Sequence, residues 1–136
     1  MHRSPELEDL VARWFAAATD GDGSVVDALV SVRPDVCLVG SDPGEWFRGG
    51  EVVAQFLRGE VTNAGGKARF SPDGTEAFEE GTVGWATTRL TITLPDGRHI
   101  SPRWSSVFHR EGDTWRFVQT HASIGVDNDA IGWTYP

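Results

Sequence analysis

A chain of 136 residues that is 39% hydrophobic is long enough for one domain with a substantial core, and no apolar run approaches the ~20 residues a membrane helix needs. The formal net charge is −8, with Lys67 the only lysine and the arginines scattered rather than striped, which argues against nucleic acid and anionic membranes as partners. The lone cysteine, Cys37, excludes an internal disulfide and a multi-cysteine metal site and reads as a small buried hydrophobe.

The N-terminus enters an amphipathic pattern without the apolar core of a signal peptide, so a cytoplasmic protein is expected. Ser4 as N-cap, Pro5 as first helical residue, acidic Glu6, Glu8 and Asp9, and Gly21 as a stop predict a first helix. Leu7, Leu10, Val11, Trp14 and Phe15 give it one apolar face. Val25, Val26, Leu29 and Val30 predict a short second helix, capped by Ser24 and ended by Pro34. A strand at 35–39, a loop from Gly40 to Gly44 and an extended stretch to Gly49 follow. Val52, Val53, Phe56 and Leu57 then predict a third helix, from Gly50 to near Gly59.

Beyond that point the period becomes two. Turn signals at Pro72-Asp73-Gly74, Glu80-Gly81, Pro95-Asp96-Gly97 and Glu111-Gly112-Asp113 separate strands near 67–71, 75–80, 82–94, 98–110 and 114–124, the first two readable as one long bent strand. Helices followed by a meander predict an α+β domain spanning 1–136, with an irregular tail over 125–136 that contains the only tyrosine, Tyr135.

The face away from solvent follows from register. A two-residue turn at Asp96-Gly97 would pair Leu90 with Arg103. A three-residue turn at Glu111-Gly112-Asp113 would pair Arg103 with His121 and Ser105 with Gln119. One face then collects Thr88, Leu90, Ser101, Arg103, Ser105, Val107, Trp115, Phe117, Gln119, His121 and Ser123, apolar at one end and polar at the other, as a pocket lining would be. The opposite face collects Trp85, Trp104 and Phe108, too much aromatic surface for a monomer to leave wet, which predicts a homodimer through those rings.

Four stretches carry a family resemblance. They are Gly40-Ser41-Asp42-Pro43-Gly44-Glu45-Trp46-Phe47-Arg48-Gly49 before a helix, Glu79-Glu80-Gly81-Thr82-Val83-Gly84-Trp85-Ala86 at a hairpin, Leu94-Pro95-Asp96-Gly97, and Trp115-Arg116-Phe117-Val118-Gln119-Thr120-His121-Ala122-Ser123. Together they resemble a SnoaL-like domain of the nuclear-transport-factor-2-like superfamily, and the last is also similar to the closing strand of the association domain of calmodulin-dependent kinases. The resemblance implies a cone-shaped fold, with N-terminal helices packed on a curved, mostly antiparallel sheet that encloses a pocket. It further implies a dimer and, in the enzymes, acid–base chemistry without metal or organic cofactor.

Among the residues, His121 is the candidate proton-transfer group, since an imidazole titrates near neutral pH; its other reading is a strand-stabilising hydrogen bond. Arg103 is the candidate anion holder, or else one half of a buried ion pair. Asp42 is the remaining candidate carboxylate, or else a turn residue before Pro43. His99 and His109 are expected to be solvated near hairpin ends, and no histidine pair has metal-ligand spacing. Trp14, Trp46, Leu90, Ser105, Phe117 and Gln119 are expected to line the pocket, with Trp14 and Trp46 as wall and lid. The functional expectation is a pocket for a small apolar or polycyclic ligand, with lyase, isomerase or cyclase chemistry as its catalytic form. A non-catalytic dimerisation or association module is the alternative.

Overall fold

The computed structural model describes residues 1–134, so Tyr135 in the tail lies outside the described residues. Helix α1, Pro5–Asp20, forms as its sequence predicts. Ser4 Oγ accepts the Leu7 N–H at 3.2 Å, and Gly21 closes the helix in the left-handed conformation at φ 72°. Leu7, Leu10, Val11, Trp14, Phe15 and Ala18 are all buried on the predicted face. The Ser4 hydroxyl also donates to Glu79 Oε2 at 2.5 Å, which ties the start of the helix to the sheet.

Helix α2, Ser24–Leu29, has Gly23 rather than Ser24 at its N-cap. Ser24 instead donates its N–H to Asp22 Oδ1 at 3.1 Å and its hydroxyl at 2.6 Å, and these bonds hold the Asp22 carboxyl below its ordinary range. Helix α3, Gly50–Ala64, does not stop near Gly59 but runs on to Ala64. One interior glycine costs a helix about 1 kcal/mol, whereas burying Val61 just beyond it returns about 1.5–3 kcal/mol.

The start of α3 is set by a close approach. A Cβ on buried Gly50 would lie 2.5 Å from Val32 Cα and would also strike the Ser31 carbonyl. Gly50→Ala is therefore expected to cost about 1–3 kcal/mol in urea unfolding, because backbone has to move. Val52→Ala, one turn face away and half exposed, is expected to change stability by less than about 0.5 kcal/mol in the same measurement.

The strands are β1 (His2–Arg3), β2 (Cys37–Val39), β3 (Trp46–Arg48), β4 (Arg69–Glu80), β5 (Val83–Thr93), β6 (His99–Ile100), β7 (Arg103–Glu111) and β8 (Thr114–Ser123). They form a single sheet in the order β1-β4-β5-β7-β8-β2-β3, with β6 pairing β5 at its end. β4 is one long strand with a register shift between Asp73 and Glu76. These strands pair antiparallel except for β2 with β8, which sets Leu38 beside Thr120; an isolated parallel bridge joins Val30 to Phe117. The helices pack on one face of this curved sheet, an α+β arrangement. No helix among the described residues is long and apolar enough to cross a membrane.

Register corrects the expected faces. The hairpin from β5 into β6 turns through a three-residue loop, with the Leu94 N–H donating to the Arg98 carbonyl at 2.9 Å, and the register carries on into β7, so Arg89 rather than Leu90 sits opposite Arg103. Conversely, Gly112-Asp113 is a two-residue turn, with Glu111 opposite Thr114. A bulge in β8 at Val118 then separates the Phe108–Phe117 pair from the Val107–Gln119 pair. A shift of one residue turns every side chain over, and here it turns Trp104, Ser106 and Phe108 inward. Beyond the bulge it also turns Gln119, His121 and Ser123 outward. The large rings decide the matter. Trp104 lies 5.2 Å from Phe15 and 6.0 Å from Phe117, and Phe108 lies 4.7 Å from Phe117, in one buried aromatic cluster under α1.

Candidate functional site

Between the helices and the inner face of the sheet lies a cavity of about 190 Å3. Its walls are aromatic and aliphatic: Trp14 and Phe15 come from α1, Phe56 from α3, Phe70 from β4, Leu90 from β5 and Trp104 from β7. Four polar side chains also reach it, those of Ser41, Glu45, Glu60 and Thr120.

Glu60 owes its place to the continuation of α3. Val53, Phe56, Leu57, Glu60 and Val61 follow one another at helical spacing, so the carboxylate occupies a position on the apolar face where a hydrophobe would ordinarily stand. It stays accessible at the rim of the cavity. Loss of hydration raises its carboxyl above the ordinary glutamate value, and the neighbouring Glu45 carboxylate raises it further. Glu45 is fixed by the loop between β2 and β3. Its Oε1 accepts the Asp42 N–H at 2.9 Å, and the Gly40 N–H donates to its carbonyl at 2.8 Å. Gly40 is needed for this packing, because a Cβ there would lie 2.6 Å from Glu45 Oε1 and 2.7 Å from its Cβ.

Thr120 supplies the inner wall from β8. It is only 8% exposed, and its hydroxyl has no hydrogen-bond partner among the described residues. The oxygen itself is not sealed in the core, so this unpaired hydroxyl is free to bond a ligand or water atom in the cavity. Neither Glu45 nor Glu60 forms an ion pair among the described residues.

The residues singled out in the sequence divide between this cavity and the other side of the sheet. Trp14 and Leu90 line the cavity. Phe117 is buried in the aromatic cluster, 4.8 Å from Trp14, and does not reach the cavity. Trp46 is 65% exposed on the outer side of β3, so it is not a lid. Arg103, Ser105, Gln119 and His121 are all on the outer face: Ser105 sits opposite His121, and Val107 opposite Gln119. Arg103 and His121 are brought together, but with Ser105, Ser123, Arg89 and Glu76 around an open cleft of about 630 Å3 whose Arg and His side chains are exposed. Charges there are screened by water and lack the low-dielectric surroundings that general acid–base work draws on. Arg103 on this face removes the geometric support for its pairing with His121 in a pocket.

Asp42 is a turn residue, its Oδ1 accepting the Gly44 N–H at 3.0 Å. His99 is exposed, with Nδ1 3.2 Å from Thr93 Oγ1. His109 is not solvated as expected: it is half-buried, and its Nδ1 is enclosed without a partner. Cys37 is half-buried on β2 rather than fully enclosed. Of the rings expected at a dimer interface, Trp85 is on the outer face, stacked on Phe78 at 6.2 Å, while Trp104 and Phe108 are 7% and 0% exposed within the core. The carboxylate that sequence reasoning did not find is Glu60. The signal for it was present: apolar periodicity resumes after Gly59 with Val61, which carries Glu60 on the helix to the exposed rim of the apolar stripe.

Comparison with known structures places the fold. An NTF2-like protein of unknown function from Pseudomonas putida KT2440 superposes with a TM-score of 0.79 at 18% identity, over 92% of this chain and 88% of that one. A proposed ketosteroid isomerase from Parabacteroides distasonis gives 0.70 at 18% identity, over 88% and 85%. A proposed calcium/calmodulin-dependent protein kinase II association domain from Xanthomonas campestris gives 0.67 at 18% identity, over 90% and 87%. At such identities the likeness shows a shared nuclear-transport-factor-2-like fold, and one fold houses an isomerase and an assembly domain alike. No curated protein matches the chain in sequence. The sequence pattern of the SnoaL-like domain matches residues 7–127, from the first turn of α1 to beyond β8, and the chain therefore belongs to the SnoaL-like domain family.

Proposed function

We propose that this protein binds a small apolar molecule in the cavity between α1, α3 and the sheet, and that Glu60 is the proton-transfer group of a cofactor-independent lyase or isomerase reaction there. The observation that carries this reading is a carboxylate on the apolar face of a helix, at the rim of an aromatic cavity, with its pKa raised by lost hydration and by Glu45. A raised pKa makes a carboxylate a stronger base, and a ligand closing over it would strip away further water. Thr120 is placed to hydrogen-bond the ligand from the opposite wall. A volume of about 190 Å3 falls below the roughly 300 Å3 at the lower end for drug-sized ligands. That size supports a compact molecule and not the polycyclic one that the sequence also admitted.

The reading is tested by filling the cavity. Benzyl alcohol titrated into the protein is expected to shift the indole N–H signals of Trp14 and Trp104 in NMR spectra, and Ala122→Phe, on the cavity wall, is expected to abolish those shifts. Shifts confined to Trp85 and the outer cleft would move the site to the other face.

We also propose a cytoplasmic homodimer formed through the outer face of the sheet. Phe78, Trp85, Val107 and Gln119 lie opposite one another in turn across β4, β5, β7 and β8, and Cys37 of β2 continues the row. This row supports an extended interface that leaves the cavity open on the other side.

A further inference from the structure

We infer that the ligand of the cavity is a small apolar amine, bound as its ammonium ion between Glu60, Glu45 and the aromatic walls; the inference rests on the ligand-pocket reading above. The first ground is the sign of the charge. Two ionisable side chains line the cavity, both are carboxylates, and no lysine, arginine or histidine lines it. The nearest arginine of α3, Arg58, is turned to Asp27, with Nε and Nη2 at 3.2 and 3.0 Å from Asp27 Oδ1.

The second ground is that this acid pair is uncompensated. Glu45 has one backbone N–H bond, from Asp42, and Glu60 has no ion pair among the described residues. Their repulsion is relieved by a cation and worsened by an anion, so a ligand carboxylate or phosphate is disfavoured by the same groups that attract an ammonium. The third ground is Thr120. Its hydroxyl oxygen, unpaired and accessible, is an acceptor for an ammonium N–H in the cavity.

The walls decide between an organic and an inorganic cation. Trp14, Phe15, Phe56 and Trp104 line the cavity, and aromatic rings attract an alkylammonium and give apolar surface to its carbon skeleton. A hydrated metal ion would gain nothing from them. Among the described residues, no group of three or more His, Cys, Asp or Glu side chains is placed to hold one. The acid pair therefore sets the charge of the ligand, and the rings set its apolar body.

Three probes of nearly the same shape separate these terms: benzylamine, benzyl alcohol and benzoate, titrated at pH 7 with the Trp14 and Trp104 indole signals as the readout. Benzylamine is expected to bind at least tenfold more tightly than benzyl alcohol, with benzoate weakest. In Glu60→Gln the amine's advantage is expected to shrink toward the affinity of the alcohol, while the alcohol itself is unaffected. Rim exposure makes this variant safe to fold, which its circular dichroism would verify. Equal affinity for amine and alcohol, or preference for benzoate, would overturn the inference and leave the pocket reading standing. Failure of all three to shift either indole would overturn both.

Discussion

Trp104→Glu is expected to leave little folded protein, while Trp85→Glu is expected to give a folded monomer. The two tryptophans sit on adjacent strands and look interchangeable in sequence. Trp104 is 7% exposed and packs on Phe15 and Phe117 beneath α1. Truncating a buried Trp alone costs about 3–5 kcal/mol, and a carboxylate left in its place adds the cost of burying an unpaired charge. Against a total stability of about 5–15 kcal/mol, that sum unfolds most or all of the protein. Trp85 is half-buried on the outer face against Phe78, so a charge there meets water in the monomer and a partner's surface only in a dimer. Sedimentation velocity with circular dichroism separates the outcomes. A well-folded Trp104→Glu would mean that β7 had the opposite face assignment, and an unchanged mass for Trp85→Glu would remove the interface.

Helix α1 is legible in the sequence down to its caps, because everything that fixes it is local: Ser4, Pro5, Gly21 and one apolar stripe. The face of β7 is not legible in that way. It depends on whether Pro95-Asp96-Gly97 takes up two residues or three, a difference of one that reverses Arg103, Trp104, Ser105 and Phe108 together. Patterning could have arbitrated, since Trp104, Ser106 and Phe108 include the two largest hydrophobes of the strand and belong inside before polar Arg103 and Ser105 do. The bulge at Val118 leaves no comparable mark. Trp115 and Phe117 are read correctly as inward, and the same alternation carried past the bulge misplaces Gln119 and His121.

The site suffers from a second local signal read too strongly. Gly59 looks like a helix end, and with α3 stopped there Glu60 falls in a loop and Val61 has no role. Tertiary burial of Val61 outweighs that propensity, and the helix carries Glu60 to the cavity. The pairing of β2 with β8 is equally invisible locally, since parallel strands distant in the chain share no turn; yet it brings the Gly40–Glu45 loop to the same rim. The two carboxylates of the candidate site thus arrive by the two routes that a strand-by-strand reading omits.

Glu60→Gln is expected to lower kcat about 10²- to 10⁴-fold once a turnover assay on a small apolar substrate is in hand, the range that positioned acid–base groups contribute. His121→Ala, on the exposed outer face, is expected to keep its activity. The pH profile carries the sign. Glu60 must be ionised to act as a base, so activity should fall on the acid side through a pKa above the ordinary glutamate value, and that limb should vanish in the glutamine variant. Stability gives an independent check. Because the folded-state pKa of Glu60 is raised, the folded chain holds more protons than the unfolded one between the ordinary and raised values, and stability falls as pH rises through that window. Above it the ionised carboxylate is a net burden, from lost hydration first and Glu45 second. Glu60→Gln should therefore be more stable than the parent at pH 7, and the gain should disappear once both carboxyls are protonated in acid. A catalytic loss accompanied by a stability gain is what a functional carboxylate held against its preference produces, and a merely structural glutamate would lose both. Full activity in Glu60→Gln together with a large loss in His121→Ala would return the chemistry to the outer cleft.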